Sequence, residues 1–224
     1  MAAPTVRVAV IDSGVHARHP HVGSVAGGIG IDDHGHPHDD YIDRLGHGTA
    51  VTAAIREKAP AAEIHAIKVF DRELSATGSA LVAACEHALA IDAHIVNMSL
   101  GTQNADHEAA LTEVVGRLLR CGTLVVAAGP GDGVRWLPGA IAGVCAVALD
   151  WSIPRGEWHA SHEGGRWLFR ASGFPRPVPG VPPERNLKGL SFAVANVSGI
   201  AAAMLAGAPA AERPVEILRR RLAG

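Results

Sequence analysis

Five short apolar runs, Val6–Ile11, Glu63–Val69, Ile95–Met98, Thr123–Ala128 and Val144–Leu149, recur along the chain with helix-like stretches between them. Runs this short, rich in β-branched residues and bounded by polar turns, read as strands buried on both faces. His47–Lys58, Gly78–Ile91 and Asp106–Leu119 carry apolar residues at helical spacing. Strands alternating with such helices predict a three-layer α/β fold, a parallel central sheet with helices on both faces. Ser191–Leu205 is apolar nearly all round, as a buried central helix must be. Pro214–Leu222 predicts a last amphipathic helix, with Arg219, Arg220 and Arg221 at the end where cations suit the dipole. Two stretches lack this order. The polar segment up to Gly46 reads as a loop, and Trp151–Lys188, broken by Pro and Gly, reads as loops and a short hairpin over one end of the sheet. With no repeat and no linker, residues 1–224 are expected to form a single domain.

Composition narrows the function. A hydrophobic content of 48% supplies a large core, and 26 glycines in such a chain point to close packing rather than disorder. A net charge of −2 and 4% aromatics leave neither a basic stripe nor a stacking platform, so nucleic acid and membrane are not expected partners. No apolar run approaches the ~18 residues of a membrane span, and Met1–Val10 lacks a signal-peptide core. Cys85, Cys121 and Cys145 are scattered and odd in number, each within an apolar run, and are expected to be buried small hydrophobes. A cytoplasmic location and no cofactor are the expectations.

Three stretches carry the chemistry. Val8-Ala-Val-Ile-Asp12-Ser-Gly14 sets a carboxylate at the carboxyl end of the first strand, where open parallel sheets gather functional groups. Gly46-His47-Gly-Thr49 opens a helix with an imidazole, and Gly189-Leu-Ser191-Phe-Ala193 opens the buried helix with a hydroxyl. Taken singly, a strand-end Asp is often a turn and a helix-opening Ser an N-cap. Their order, Asp then His then Ser, is the order found in subtilisin.

The chain resembles the subtilase family along nearly its whole length. Val10-Ile-Asp12-Ser-Gly14-Val with His19-Pro20 is similar to the family's aspartate motif, His47-Gly-Thr49 to its histidine motif, and Leu190-Ser191-Phe-Ala193 with Val197-Ser-Gly199 to its serine motif. Ile95-Val-Asn97-Met-Ser99-Leu-Gly101 and Val125-Val-Ala-Ala-Gly129 resemble the two segments that wall the substrate cleft, and Trp136-Leu-Pro138 through Val147 continues the likeness. The resemblance implies a serine endopeptidase acting on a peptide or protein substrate. It makes Asp12, His47 and Ser191 the catalytic triad and Ser99, Leu100, Gly101, Ala127, Ala128 and Gly129 the substrate-binding walls. Substrate is expected extended beside Ser99–Gly101, with Ser75–Ser79 as a second flank.

Where the family continues Ala-Ala-Gly-Asn, with that Asn donating to the oxyanion, Gly129 is followed by Pro130, which has neither side-chain donor nor backbone N–H. Losing one such donor lowers kcat by about 10²–10³. Ser191 remains in the oxyanion region, and Asn104, Asn196 or a loop N–H near Gly131 are candidate substitutes. Leu190 stands where the family usually has Thr, and Ala195 where it has Pro. A dedicated processing protease, such as a leader-peptide remover acting on a precursor peptide, is the expectation. The alternatives are a weak or silent fold binding a peptide or partner protein, and a peptide ligase or macrocyclase resolving the same acyl-enzyme with an amine. Asp32-Asp-His34-Gly-His36-Pro-His38-Asp-Asp40 has metal-ligating residue types, but its alternate-residue histidines lack structural-zinc spacing, so it reads as a solvated loop.

Overall fold

The computed structural model describes residues 5–129, 134–163 and 166–207. In chain order the elements are β1 (Arg7–Asp12), β2 (Gly27–Ile31), β3 (Pro37–His38), α1 (His47–Lys58), β4 (Glu63–Lys68), α2 (Gly78–Ala90), β5 (Ile95–Met98), α3 (Glu108–Arg120), β6 (Leu124–Ala128), β7 (Cys145–Leu149), β8 (Trp158–Glu163), β9 (Arg166–Ala171) and α4 (Leu190–Ala206). The helix predicted over Pro214–Leu222 lies outside the described residues.

The strands of the described residues join one nine-stranded sheet in the order β3-β2-β4-β1-β5-β6-β7-β9-β8. The pairings β2–β4, β4–β1, β1–β5, β5–β6, β6–β7 and β7–β9 are parallel, and only β2–β3 and β8–β9 are antiparallel. Side chains alternate across this sheet. Val8 and Val10 of β1 enter one core with Val51, Ala54 and Ile55 of α1 and Phe192, Val194 and Val197 of α4. Ala9 and Ile11 enter the other, with Leu81 and Cys85 of α2 and Leu111, Val114, Val115 and Leu118 of α3. The four α3 residues fall at i, i+3, i+4 and i+7, the spacing of one helix face. Three layers follow: α1 and α4, the sheet, then α2 and α3.

Three local expectations need correction. The predicted loop before Gly46 contains β2 and β3. Gly-Gly-Ile-Gly-Ile has little intrinsic strand preference, and it is extended because it pairs with β4, Gly27 opposite His65 through Gly30 opposite Lys68. The hairpin in Trp151–Lys188 is not laid over the sheet but extends it, because β9 pairs with β7 from Ala146–Leu168 to Leu149–Ala171. Cys85 and Cys145 are buried, but Cys121 is exposed, since α3 ends at Arg120 and the chain turns away from the buried face there. Burial pushes the Cys85 thiol up to about 12 and the Cys145 thiol up as well, so both stay protonated.

Candidate active site

Asp12 is the last residue of β1 and is fully buried. The β1–β5 register pairs Ile11 with Met98, which sets Asp12 level with Ser99 at the carboxyl end of the sheet. Its Oδ1 accepts from the Ser13 N–H at 2.7 Å and lies 2.6 Å from His47 Nδ1. A carboxylate only accepts, so Nδ1 carries the shared proton and Nε2 of a neutral ring is left as the base.

His47 opens α1, and the start of that helix is held from outside the helix. Gly46 at the N-cap offers no side chain. Instead the Ser13 hydroxyl accepts from the Gly48 N–H at 2.9 Å and Asp43 Oδ2 from the Thr49 N–H at 2.8 Å, satisfying two of the donors a helix start leaves open. Gly48 has no alternative residue, because a Cβ there would fall 2.2 Å from the Gly14 carbonyl oxygen and 3.1 Å from Asp12 Oδ1. Phe192 packs against the imidazole with ring centroids 5.9 Å apart. Burial disfavours the imidazolium, but the Asp12 hydrogen bond and charge, with the Asp43 charge, outweigh it and hold the His47 pKa above its ordinary value.

Ser191 sits in the first turn of α4, tied to β5 by a buried chain of bonds. Ser198 Oγ donates to Asn97 Oδ1 at 2.9 Å, Asn97 Nδ2 to Ser99 Oγ at 3.0 Å, and Ser99 Oγ to the Ser191 carbonyl at 2.9 Å. The Ser191 hydroxyl donates to the Ser99 carbonyl at 3.1 Å, and among the described residues no hydrogen bond joins it to His47. The Ser191 N–H, at an uncapped helix start, has no acceptor among the described residues.

His47 and Ser191 both line a cavity of about 420 Å³, with Asp12 directly beneath the imidazole. Of the expected walls, Ser99, Leu100, Gly101 and Ala128 line it, as do Ser75 and Ala76 from the second flank. Ala127 does not: strand alternation turns it into the core against α2 and α3, where it is fully buried. Gly129 donates to the Val147 carbonyl at 2.7 Å and is not among the lining residues. Pro130, Gly131 and the rest of that oxyanion segment lie outside the described residues. Of the two asparagines offered as substitute donors, Asn196 is not free for the role: it is fully buried and donates to the Ser172 and Phe174 carbonyls. Asn104 caps the short turn before α3 through Oδ1, which accepts from the Asp106 N–H.

Sequence reading missed Asp43 as a support of His47 and Phe70, Leu74 and Trp136 as lining residues. Asp43 had a legible signal, an acid shortly before a helix start that lacks a capping side chain. Among the described residues no group of three potential ligands is gathered for a metal. His34 and His36 donate backbone N–H groups to Asp32 Oδ1, which shapes the exposed turn, while the backbone of His38 pairs with Gly30. No described helix is long and apolar enough to cross a membrane.

Known proteins bear on this geometry. The model of the subtilase family matches residues 4–146. A thermostable alkaline protease of Halalkalibacterium halodurans is 31% identical over 217 residues, covering 88% of this chain and 55% of the relative. The chain spans about half the length of the curated relatives it matches. Among solved structures, the protease domain of PatA superposes with a TM-score of 0.70 at 24% identity, over 98% of this chain and 95% of that one. The nisin leader peptidase NisP from Lactococcus lactis gives 0.72 at 18% identity, over 96% and 81%. At these identities the two structures establish the shared fold. With the family model matching well over half of its residues on that fold, the chain belongs to the subtilase family.

Proposed function

We propose that the chain is a serine endopeptidase whose triad is Asp12, His47 and Ser191. The observation that carries this is the 2.6 Å contact between Asp12 and His47 beside a cavity that Ser191 also lines. Rotation about χ1 swings the Ser191 hydroxyl from the Ser99 carbonyl towards Nε2. The Ser191 oxygen then attacks the substrate carbonyl while its proton passes to Nε2, and Asp12 stabilises the imidazolium. Charge forming on the carbonyl oxygen meets the free Ser191 N–H. Collapse transfers the Nε2 proton to the departing amine and leaves an acyl-enzyme, which water, deprotonated by the same imidazole, hydrolyses.

A fluorophosphonate probe tests this. Labelling of the wild type and its loss in Ser191→Ala is the expected result; an unlabelled wild type would favour the reading in which the fold binds peptides without cutting them. The Ser191 hydroxyl's bond to Ser99 and the proline at position 130 are the observations behind that second reading.

Within this activity we assign a narrow role, removal of a leader segment from one or a few precursor peptides. Two observations support it: position 130 holds a proline, which offers no side-chain donor to an oxyanion, and NisP, a leader peptidase, shares the fold. Three free thiols, one of them exposed, suit a reducing compartment such as the cytoplasm. Slow, selective cleavage of precursor peptides with little digestion of casein is expected, and rapid, indiscriminate casein digestion would exclude the role. Cell fractionation checks the location.

A further inference from the structure

Trp136 belongs to none of the sequence segments assigned to the cleft walls, yet it lines the cavity between them. Its Cε3 lies 3.2 Å from the point a Cβ on Gly101 would occupy, and its own Cβ lies 3.5 Å from that point. Gly101 is therefore in contact with the indole, and no methyl group fits between them without displacement. The backbone that carries the indole is held from both sides. Thr102 and Leu137 exchange backbone hydrogen bonds of 2.9 Å in each direction, and the Ala140 N–H donates to the Trp136 carbonyl at 2.7 Å. The ring is thus mounted on fixed backbone beside Gly101 and Ala128, in the same cavity as Ser191. A side chain entering between those walls meets the indole.

We infer that Trp136 closes the recess that receives the substrate residue immediately before the cut, so that the enzyme selects Gly, Ala or Ser there and rejects Leu and Phe. The inference rests on the peptidase reading above, since it takes the carbonyl attacked by Ser191 as its reference. Its physical basis is overpacking: a large side chain must push the indole off its rotamer or stay outside, and both lose the transition-state contacts that determine kcat/KM. Discrimination between side chains by an apolar pocket of this kind is roughly 10- to 200-fold.

Acetyl-Ala-Ala-Ala-X p-nitroanilides, with X as Ala, Leu or Phe, test it. The wild type should hydrolyse the Ala substrate at least about tenfold better in kcat/KM than the Phe substrate. Trp136→Ala should raise the Phe-to-Ala ratio by about 10- to 100-fold, with Trp136→Leu, which keeps an apolar plug, in between. A wild type that prefers Phe, or a folded Trp136→Ala with an unchanged ratio, would overturn the inference and leave the peptidase reading standing. Binding of acetyl-Ala-Ala-Ala-Ala and acetyl-Ala-Ala-Ala-Phe to Ser191→Ala, by calorimetry, separates the two claims. If the wild type hydrolyses nothing but the Ala peptide binds more tightly, and Trp136→Ala in that background reverses the order, the recess stands and the peptidase reading falls. Equal affinity, or no binding of either peptide, also overturns the inference.

Discussion

Five hydrogen bonds converge on the carboxylate of Asp43. Oδ1 accepts from Ser13 Oγ at 2.8 Å, the Leu45 N–H at 2.9 Å and the Gly46 N–H at 2.8 Å, and Oδ2 accepts from the Thr49 N–H at 2.8 Å and Thr49 Oγ1 at 2.6 Å. This one side chain gathers the loop, the start of α1 and Ser13, whose own oxygen supports Gly48. Asp43→Asn keeps the shape but turns one acceptor into a donor facing donors. A stability loss of about 1–3 kcal/mol is expected by denaturant titration. The charge matters separately. In the proposed mechanism His47 must be neutral to take the Ser191 proton, so activity should rise with pH through its raised pKa, on an acid limb above the ordinary imidazole range. Removing the Asp43 charge removes one of the groups that raise it, so the limb should move to lower pH in the variant. A pH profile of kcat/KM reads this shift, which loss of helix capping alone would not produce.

Between elements, α1 and α4 are joined where α1 ends. Lys58 Nζ donates to Asn196 Oδ1 at 2.6 Å, and the Asn196 amide donates to the carbonyls of Ser172 at 2.8 Å and Phe174 at 3.1 Å. Glu57, paired with Arg155, lies 3.5 Å from the ammonium. Burial, with the Arg155 charge, lowers the Lys58 pKa from 10.5 to about 8, against the pull of Glu57. The sign follows from proton counting. Below pH 8 Lys58 is charged in the folded and unfolded chain, and folding bears the whole cost of burying the charge. Between pH 8 and 10.5 the folded form releases the proton while the unfolded form keeps it, so the contribution of Lys58 to stability rises with pH. A shift of that size corresponds to something on the order of 3 kcal/mol. The expected outcome is that the wild type gains stability relative to Lys58→Met across that window. It is read as the difference between the urea midpoints of the two proteins at each pH, which cancels the opposing loss from the buried Cys85 and Cys145 thiols that both proteins share.

At the scale of the molecule, the two cores share the central sheet, with Val10 in one and Ile11 in the other. Loss of either core therefore strips one face of every central strand, and the described residues should unfold as one cooperative unit. Leu118, fully buried on α3, stands in the core across the sheet from Ser191 and His47. Leu118→Ala should cost about 2–5 kcal/mol by the cavity it leaves, with peptide hydrolysis by the surviving folded fraction unchanged. One calorimetric transition, moved to lower temperature, is the expected record. Two separate transitions would contradict the single cooperative unit.

Periodicity and local chemistry were enough to read the central strands, α1 to α4 and the residues that open or close them, because burial on both faces of a parallel sheet leaves runs that no other environment tolerates. The three residues proposed for the triad were legible as a polar group closing an apolar strand and as polar groups opening two helices. What only the folded chain decided concerns partners far apart in sequence. β2 is a strand because β4 lies beside it, Ser13 holds the Gly48 N–H because β1 ends beside the start of α1, and Asn196 serves Lys58 rather than an oxyanion because the two helices meet there. Trp136 reaches Gly101 only through the pairing of Thr102 with Leu137. A sequence records the preferences of each residue for its own conformation and burial, whereas hydrogen bonds and contacts between distant segments exist only after the whole sheet has fixed their separation.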